Sequence, residues 1–349
     1  MSRILLHPSG KSVECAPGDT VLMALERAGY ALPSNCRAGA CGECKVKVTA
    51  GQFDQGMVLD MALRREERRQ GYGLMCMAKP ISDELVIEWG TADARPRLFP
   101  PREQLPFVIT ERQALTPRVV QLHLRPVDQL LRYWPGQYVT LGQPAADIPA
   151  RAYSIANAPR PDGELVLQVS RSSGGLTSPW ICDQLRSGDR VALSGPYGTF
   201  IGDPSVDTPV LCLGAGTGLA PLLALSESAL RRGYRQPVSL LLSARGEADV
   251  YGQGLMAWWQ ARHPSFQAHI TLTREKREGY LFGRIQGVLP SLFPDLSGHT
   301  LFIAGNPRFV DACMGTALTL GARAERIHTE GFFVQQKPLI PDAEHLLLP

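Results

Sequence analysis

Four cysteines near the N-terminus constrain the fold of this chain more than any other residues do. Cys36, Cys41 and Cys44 follow one another with the spacing C-x4-C-x2-C, and Cys76 lies further along the chain. This spacing is typical of a 2Fe-2S cluster, in which four thiolates bind two iron ions. Glycines between the first three cysteines let backbone amides approach the sulfur atoms without obstruction by side chains. The sequence therefore predicts a 2Fe-2S cluster held by all four thiolates.

A structural zinc site and a set of unrelated free thiols are the alternatives. Zinc sites usually combine two C-x2-C pairs, or one such pair with histidines, and this region has neither. The remaining cysteines lack comparable spacing and are predicted to be small, buried hydrophobic residues: Cys15, Cys182, Cys212 and Cys313. Clustered thiols in a chain of this length favour metal binding over a disulfide framework.

Length, charge and hydrophobicity exclude several classes of protein. A chain of 349 residues is long enough for two to three domains. Its 36 basic and 33 acidic residues give a formal charge of +3, which is too close to balance to favour a nucleic acid or a membrane surface. The first residues contain no apolar signal core, and glycines interrupt the longest apolar stretch. We therefore expect a cytoplasmic protein with no nucleic-acid partner and no membrane segment.

Changes in residue pattern divide the chain into three domains and a linker. Residues 1–92 combine short alternating segments with one helical pattern, which predicts a small α+β domain. Residues 93–106 contain four prolines and predict a semi-rigid linker. Residues 107–204 contain six strand-like runs separated by turn residues, which predict a closed antiparallel β-barrel. In residues 205–349, strands alternate with helices, which predicts an α/β domain with a doubly wound parallel sheet, followed by a C-terminal tail.

The predicted barrel contains residue types that suit a flavin nucleotide. Arg151 can pair with a phosphate, Tyr153 can lie against an isoalloxazine ring, and Ser154 can hydrogen-bond the reactive edge of that ring. A later turn opens a helix whose amides suit a pyrophosphate; it consists of Gly174, Gly175, Leu176, Thr177 and Ser178. Alone, Arg151 equally fits a surface ion pair and Tyr153 a core aromatic residue. Their combination in this order on one barrel favours the flavin.

A glycine loop in the predicted α/β domain suits a dinucleotide. The loop joins a buried strand to a helix and contains Gly214, Gly216, Thr217 and Gly218. Its glycines allow close approach of the backbone, and the amides of the helix can meet a diphosphate. The spacing differs from the G-x-G-x-x-G fingerprint of dinucleotide-binding proteins, so a tight turn without a ligand is the alternative.

On these motifs, residues 4–88 resemble a plant-type ferredoxin, which has a β-grasp fold, and residues 107–333 resemble the ferredoxin-NADP reductase superfamily. The second resemblance implies FAD bound by Arg151, Tyr153, Ser154 and the turn at residues 174–178. It also implies that Phe332, in the segment Glu-Gly-Phe-Phe, lies near the flavin. The residues expected to contact the reacting ring are then Tyr153, Ser154 and Phe332.

The resemblance also indicates a second nucleotide loop at Gly305, Asn306 and Pro307. Ala304 stands where the superfamily commonly has cysteine, so the role of that cysteine does not transfer to this chain. NADPH differs from NADH by a 2′-phosphate, which needs a cation. Arg245, Arg274 and Arg284 are candidates, and Arg274 stands in a Thr-Arg-Glu segment similar to the Ser-Arg-Glu of NADPH-using members. Similarly placed arginines occur in NADH users, so the sequence leaves NADH and NADPH both open.

The order of the three modules resembles that of the reductase components of multicomponent oxygenases, including the phenol hydroxylase, methane monooxygenase and benzoate dioxygenase types. The resemblance implies hydride transfer from NADH or NADPH to FAD, then transfer of single electrons to the 2Fe-2S cluster and on to a terminal oxygenase or hydroxylase. One alternative is a reductase that serves a deoxysugar dehydratase. The other is a redox-sensing module without a dedicated acceptor.

The charges of the first module bear on its partner. Residues 1–92 contain eleven basic and eleven acidic residues, so a partner selected by a strongly acidic surface is not expected. Residues 63–69 contain four arginines and two glutamates in a helical pattern that precedes Cys76. This run can face a partner, but its mixed charges favour a solvated helix.

Overall fold

The structure of the chain is a computed structural model that describes residues 1–202 and 206–332. Phe333 and the tail that follows it lie outside the described residues. No helix in the described part of the chain is both long and apolar enough to span a membrane.

The N-terminal domain is a β-grasp fold, as predicted. Its elements are β1 (Ser2–His7), β2 (Lys11–Cys15), α1 (Val21–Arg27), β3 (Lys45–Ala50), β4 (Phe53–Asp54), α2 (Arg65–Arg69), β5 (Tyr72–Leu74), β6 (Lys79–Pro80) and β7 (Glu84–Glu88). Five strands form a mixed sheet in the order β2-β1-β7-β3-β5, in which β1 and β7 are parallel. The Thr20 hydroxyl accepts a hydrogen bond from the Met23 amide and caps α1, whose buried face packs against the sheet.

The second domain is a curled antiparallel sheet. Its elements are β8 (Arg102–Ala114), β9 (Val119–Pro126), β10 (Tyr138–Gln143), β11 (Ile148–Ser154), β12 (Leu165–Ser170), α3 (Thr177–Pro179) and β13 (Arg190–Tyr197). The strand order is β11-β10-β13-β8-β9-β12. The two edges approach each other at an isolated bridge between Ile155 and Leu167, so the sheet curls into a half-barrel and the closure expected from the sequence is partial.

The first strand of this barrel begins at Arg102, within the segment 93–106 that the sequence predicts to be a linker. Pro106 lies in the strand opposite Ala192, and its carbonyl accepts a hydrogen bond from Val127. A proline in a strand lacks only the donor and keeps the acceptor, so it does not prevent pairing on the carbonyl side. The linker is correspondingly shorter than the proline content indicates.

The third domain has the predicted doubly wound parallel sheet. Its elements are β14 (Val210–Ala215), α4 (Leu219–Arg231), β15 (Val238–Ala244), α5 (Gln253–Arg262), β16 (Phe266–Leu272), β17 (Leu281–Phe282), α6 (Ile285–Leu292), β18 (Thr300–Gly305), α7 (Pro307–Thr319) and β19 (Ile327–Gly331). The order is β17-β16-β15-β14-β18-β19, and all pairs are parallel. Cys212 belongs to the core under α4 and α5, whereas Leu211 and Leu213 belong to the core under α6 and α7. Alternate residues of β14 thus serve the two faces of the sheet.

Candidate functional site

The four predicted cluster cysteines lie together as two pairs of thiols. One pair of hydrogen-bonded thiols is Cys36 and Cys41, and the other is Cys44 and Cys76. Among the described residues, no three Cys, His, Asp or Glu side chains are grouped as ligands of one metal ion. Two pairs instead suit a two-iron cluster, in which each iron takes two thiolates from the protein. The arrangement therefore fits the predicted 2Fe-2S cluster.

The loop after Cys36 favours the thiolate form of this cysteine. The amides of Ala38 and Ala40 donate hydrogen bonds to Cys36 Sγ at 3.4 and 3.3 Å. The hydrogen bond from Cys41, together with these amides, lowers the pKa of Cys36 to about 5. Gly39 has a φ of +68°, and a Cβ on it would lie 2.9 Å from the carbonyl oxygen of residue 57. Glycine is thus needed where residues 57–62 cover residues 35–44, which we call the cluster loop.

The cluster loop contacts the other two domains on one side. Asn35 Nδ2 donates a hydrogen bond to the Gly331 carbonyl oxygen at 2.7 Å, which joins the residue before Cys36 to the end of β19. The Arg37 guanidinium lies 4.3 Å from the centre of the Tyr197 ring in the barrel and forms an ion pair with Glu26 of its own domain. A cation over an aromatic face contributes about 0.5–2 kcal/mol, and more when it is desolvated. These contacts hold the cluster loop against the barrel and β19.

The predicted flavin residues lie along β11 and in the turn beside it. Arg151 and Tyr153 are two positions apart in β11, where they pair with Leu141 and Val139 of β10, so both side chains point to the same face of the sheet. Arg151 donates to the adjacent Ala150 carbonyl and has further donors available for a phosphate. Thr177 Oγ1 donates to the Pro149 carbonyl at 2.5 Å, which brings the turn at residues 174–178 against β11. A cation, a ring and an exposed glycine turn on one surface fit the predicted FAD.

Ser154 contacts a buried acid that the sequence analysis did not assign. Its hydroxyl donates to Glu330 Oε2 at 3.1 Å, although 176 positions separate the two residues. Burial raises the pKa of Glu330 to about 8, and the hydrogen bond from Ser154 offsets part of that rise. A carboxyl group with this pKa can gain or lose a proton near neutral pH. Glu330 precedes by one residue the Gly331 carbonyl that binds Asn35.

The two predicted nucleotide loops follow adjacent parallel strands. Gly214 in β14 pairs with Ala304 in β18, so the loops after these strands meet at the same edge of the sheet. A Cβ on Gly218 would lie 2.1 Å from the Ala304 carbonyl oxygen, so the two loops touch. The side chain of Asn306 accepts a hydrogen bond from the Phe309 amide and caps α7, with Pro307 in the first turn. The carboxyl edge of a parallel sheet is where open α/β folds bind ligands.

A cavity of about 680 Å³ opens at this edge between the barrel and the α/β domain. Its lining includes Gly216, Thr217, Asn306 and Phe332, with Arg118 from the barrel side. The Phe332 amide donates to the Gly305 carbonyl at 2.7 Å, which ties this aromatic residue to the second loop. Phe332 thus lies in the wall of the nucleotide cavity, while its predicted contact with a flavin stays a prediction. A larger cavity of about 1070 Å³ elsewhere between these domains is lined by none of the predicted site residues.

The three arginine candidates for a 2′-phosphate differ in position. Arg245 and Arg284 line the nucleotide cavity, whereas Arg274 is exposed and is not among the lining residues. Arg245 donates from Nε and Nη2 to the carboxylate of Asp249, each at 2.7 Å, and Asp249 also lines the cavity. A carboxylate here repels a phosphate and occupies the guanidinium.

We expect Asp249→Asn to shift nucleotide preference towards NADPH. Neutralising the carboxylate frees Arg245 to bind a 2′-phosphate, and one charge-assisted hydrogen bond corresponds to about a tenfold gain in kcat/KM for NADPH relative to NADH. The measurement is that ratio for the variant and the parent chain. Asp295→Asn, which removes the same charge outside the cavity, serves as the control. An unchanged ratio in Asp249→Asn would rule out a role for this pair in nucleotide choice.

Sequence reasoning missed Asn35, Asp249 and Glu330. Asp249 follows Arg245 by four positions, a spacing that could have indicated an ion pair. Glu330 belongs to the acidic-aromatic segment, but only its aromatic residue was assigned. No local signal marks Asn35, because its partner lies 296 positions away.

Comparisons with known proteins agree with this architecture. The chain matches a 2Fe-2S iron-sulfur cluster binding domain at residues 4–80, an oxidoreductase FAD-binding domain at 106–201 and an oxidoreductase NAD-binding domain at 212–314. It is 35% identical to the reductase subunit of an aromatic O-demethylase from Amycolatopsis, over 93% of this chain and 96% of that protein. It is 33% identical to the reductase component of phenol 2-monooxygenase from Pseudomonas, over 95% and 94%. The crystal structure of an Amycolatopsis cytochrome P450 reductase, 33% identical, matches with a TM-score of 0.86 over 95% of this chain and 99% of that one.

Proposed function

Because the chain belongs to the family of oxygenase reductase components that join a 2Fe-2S domain to FAD-binding and NAD-binding domains, we propose that its acceptor is a terminal oxygenase acting on an aromatic compound. The chain is an NAD(P)H-dependent oxidoreductase that passes electrons to an oxygenase partner. Two relatives named above, an aromatic O-demethylase reductase subunit and a phenol 2-monooxygenase reductase component, support the aromatic substrate class.

The hydrogen bond between Asn35 and Gly331 is the observation that best supports this electron path. It joins the cluster loop to the strand that carries Glu330 and to the residue before Phe332. When bound, FAD would supply the chemistry that takes one hydride, with its two electrons, from the nicotinamide and passes these electrons singly to the cluster. The protein positions the three centres and controls the charge around them. The cluster loop is thus held against the strand whose Glu330 contacts Ser154 of the predicted flavin site, which favours transfer within one molecule.

Each predicted site residue then has a part in binding or positioning. Arg151 and the turn at residues 174–178 would bind the phosphates of FAD, and Tyr153 would cover the ring. Ser154 would hydrogen-bond the reactive edge of the ring while Glu330 holds its hydroxyl. The loops at residues 214–218 and 305–307 would bind NADH or NADPH, with Phe332 in the wall of that cavity.

An anaerobic spectral experiment tests the proposed path. NADH and NADPH are added separately in a stopped-flow spectrometer, and flavin and iron-sulfur absorbance are followed. We expect the flavin band to bleach first and the cluster band second, with one nucleotide faster than the other. Anaerobic addition of an oxidised aromatic-ring oxygenase should then restore the cluster band. A cluster that stays oxidised after the flavin is reduced would contradict the proposal.

No feature of the described residues favours the two alternatives predicted from the sequence, a deoxysugar dehydratase reductase and a redox sensor without an acceptor. All eight cysteines are free thiols. Free thiols, four of them paired for a cluster, support the reducing, cytoplasmic location that we propose.

We expect the rate of flavin reduction by NADH to fall as the pH rises through about 8, where Glu330 ionises. An ionised carboxylate beside Ser154 opposes the arrival of negative charge on the ring, and a shift of one pKa unit corresponds to about a tenfold change. Stopped-flow rate constants from pH 6 to 10 measure the effect. Glu330→Gln should abolish this fall in rate with pH. Ser154→Ala should move the fall to higher pH, because the Ser154 hydroxyl lowers the pKa of Glu330.

The Glu330 carboxyl also makes the stability of the folded protein depend on pH. The folded pKa lies above the value of 4.5 for an exposed glutamate, so the neutral acid stabilises the fold below that value, and this contribution is lost as the pH rises through about 8. Glu330→Gln should flatten this part of the profile of melting temperature against pH.

A pH profile of flavin reduction that is the same in Glu330→Gln and in the parent would show that Glu330 does not act at the flavin.

A further inference from the structure

The surface over the cluster loop has an unusual number of exposed apolar side chains. Met57, Leu59 and Met61 are 84%, 52% and 82% exposed. Val58, between the first two, packs on the domain core, whereas Asp60, between the last two, is also exposed. Exposed methionines and leucines grouped in this way are characteristic of binding surfaces.

This segment lies directly on the loop that holds the cluster. The Leu59 amide donates to the Gly39 carbonyl at 3.0 Å, and a Cβ on Gly42 would lie 3.3 Å from the Ala62 carbonyl oxygen. Cys41, between these two glycines, is more exposed than the other three cluster cysteines, which are buried. One layer of residues therefore separates the cluster site from solvent here. The other flank of the loop, at Asn35 and Arg37, is covered by the barrel and β19.

Arginines border the apolar residues. Helix α2 follows the segment, and Arg65 and Arg69 on it are exposed and make no ion pair among the described residues. Arg68 is instead paired with Asp60, and Glu67 with Lys45. Methionine and arginine are enriched in protein interfaces, where lysine, glutamate and aspartate are depleted. Helix α2, which the sequence predicts to be a solvated helix, thus borders the exposed apolar residues over the cluster loop.

We propose that Met57, Leu59, Met61, Arg65 and Arg69, termed the outer cluster face, form the docking surface for the terminal oxygenase, whose matching surface is apolar at its centre and acidic at its rim. The inference rests on the proposed function, because it names where that acceptor binds. Electrons enter the cluster from the flank that contacts the barrel and leave through the outer cluster face. Arg65 and Arg69, which form no ion pair among the described residues, select an acidic rim on the partner.

Two protein acceptors of opposite charge test this location in the full holoprotein. Cytochrome c is basic and cytochrome b5 is acidic, and each takes one electron. The double variant M57E/M61E should lower the rate constant for cytochrome b5 about fivefold and raise that for cytochrome c by a similar factor, because charge at a docking surface steers association. Both effects should shrink at high salt, where charges are screened.

Ile81→Glu is the control and is matched to the single variant Met57→Glu, since each adds one negative charge and Ile81 is an exposed apolar residue of the same domain outside the outer cluster face. It should change neither rate constant by more than a small factor. R65E/R69E should act as M57E/M61E does, which tests the arginines separately from the methionines. An unchanged cluster spectrum and unchanged ferricyanide reduction in every variant show that the cofactors are intact.

Opposite responses to the two cytochromes also exclude a change in cluster potential, which would alter both rates in the same direction. Equal responses of both cytochromes, or equal effects of Ile81→Glu, would overturn the docking surface. If the parent protein reduces neither cytochrome although NADH bleaches its flavin, the proposed electron path itself fails. The two failures are therefore distinguishable.

Discussion

Replacing Cys76 by serine should remove the cluster absorbance and abolish electron transfer to protein acceptors, while NADH still reduces the flavin. Cys76 is paired with Cys44, so its loss leaves one iron with a single thiolate from the chain. We expect NADH-dependent cytochrome c reduction to fall at least about 100-fold, since even supporting residues of a metal site change its affinity by 10–100-fold. NADH-dependent ferricyanide reduction, which needs only the flavin, should stay within about twofold.

Cys15→Ser is the matched control for this substitution. Cys15 is also a buried thiol of the N-terminal domain, but its sulfur lies 3.7 Å from the Asp19 carbonyl and outside the cluster pairs. A serine hydroxyl there has an acceptor available, so we expect the cluster to persist. If a folded Cys76→Ser protein also loses flavin reduction by NADH, the three modules do not act in the order derived above.

The cysteine cluster and the fold class could be predicted because their signals are local. Three of the four cysteines lie within nine positions, and the chelate they form depends on short backbone segments. Strand runs with period two and helical runs with period 3.6 are likewise properties of neighbouring residues. The glycine loop at residues 214–218 was identified for the same reason, and it does join a buried strand to a helix.

The contacts between domains could not be predicted, because they depend on how separate units dock. Glu330 meets Ser154 across 176 positions and Asn35 meets Gly331 across 296, and neither pair has a sequence spacing that marks it. Arg37 was visible only as the residue after a cluster cysteine, although its guanidinium lies over Tyr197 of the barrel. These long-range contacts bring the predicted cluster, flavin and nucleotide motifs close together.

The contacts of the linker with its two neighbouring domains could not be predicted from the sequence either. Proline content predicts a semi-rigid segment, but the Gly29 carbonyl accepts hydrogen bonds from the amides of Arg97 and Leu98 at 2.7 and 3.0 Å. The Trp134 indole also donates to the Arg97 carbonyl at 2.9 Å. Residues 97 and 98 are therefore attached both to the N-terminal domain and to the barrel. This attachment favours a fixed distance between the cluster and the barrel over free motion of the N-terminal domain.

Replacing Gly218 by alanine should separate the two nucleotide loops and impair the use of NADH or NADPH. The backbone of Gly218 has φ −59° and ψ −15°, which alanine adopts without strain, so the substitution tests close approach alone. Its Cβ would lie 2.1 Å from the carbonyl oxygen and 2.5 Å from the carbonyl carbon of Ala304. Relief of that overlap moves one loop by about 1 Å, and a displacement of this size can reduce a rate about 100-fold.

The measurement is kcat/KM for NADH with ferricyanide as the acceptor, together with the melting temperature of the holoprotein. Overpacking costs about 1–3 kcal/mol of stability, so a folded protein with impaired nucleotide use is the expected product. Gly315→Ala is the control, because a Cβ on this glycine of α7 meets no atom within 4 Å, and alanine is favoured in a helix. Dithionite should still reduce the flavin and the cluster in Gly218→Ala, since this reductant acts without the nucleotide. Unchanged NADH kinetics in Gly218→Ala would mean that the two loops need not touch to bind the nucleotide, and the assignment of residues 214–218 and 305–307 to one site would have to be abandoned.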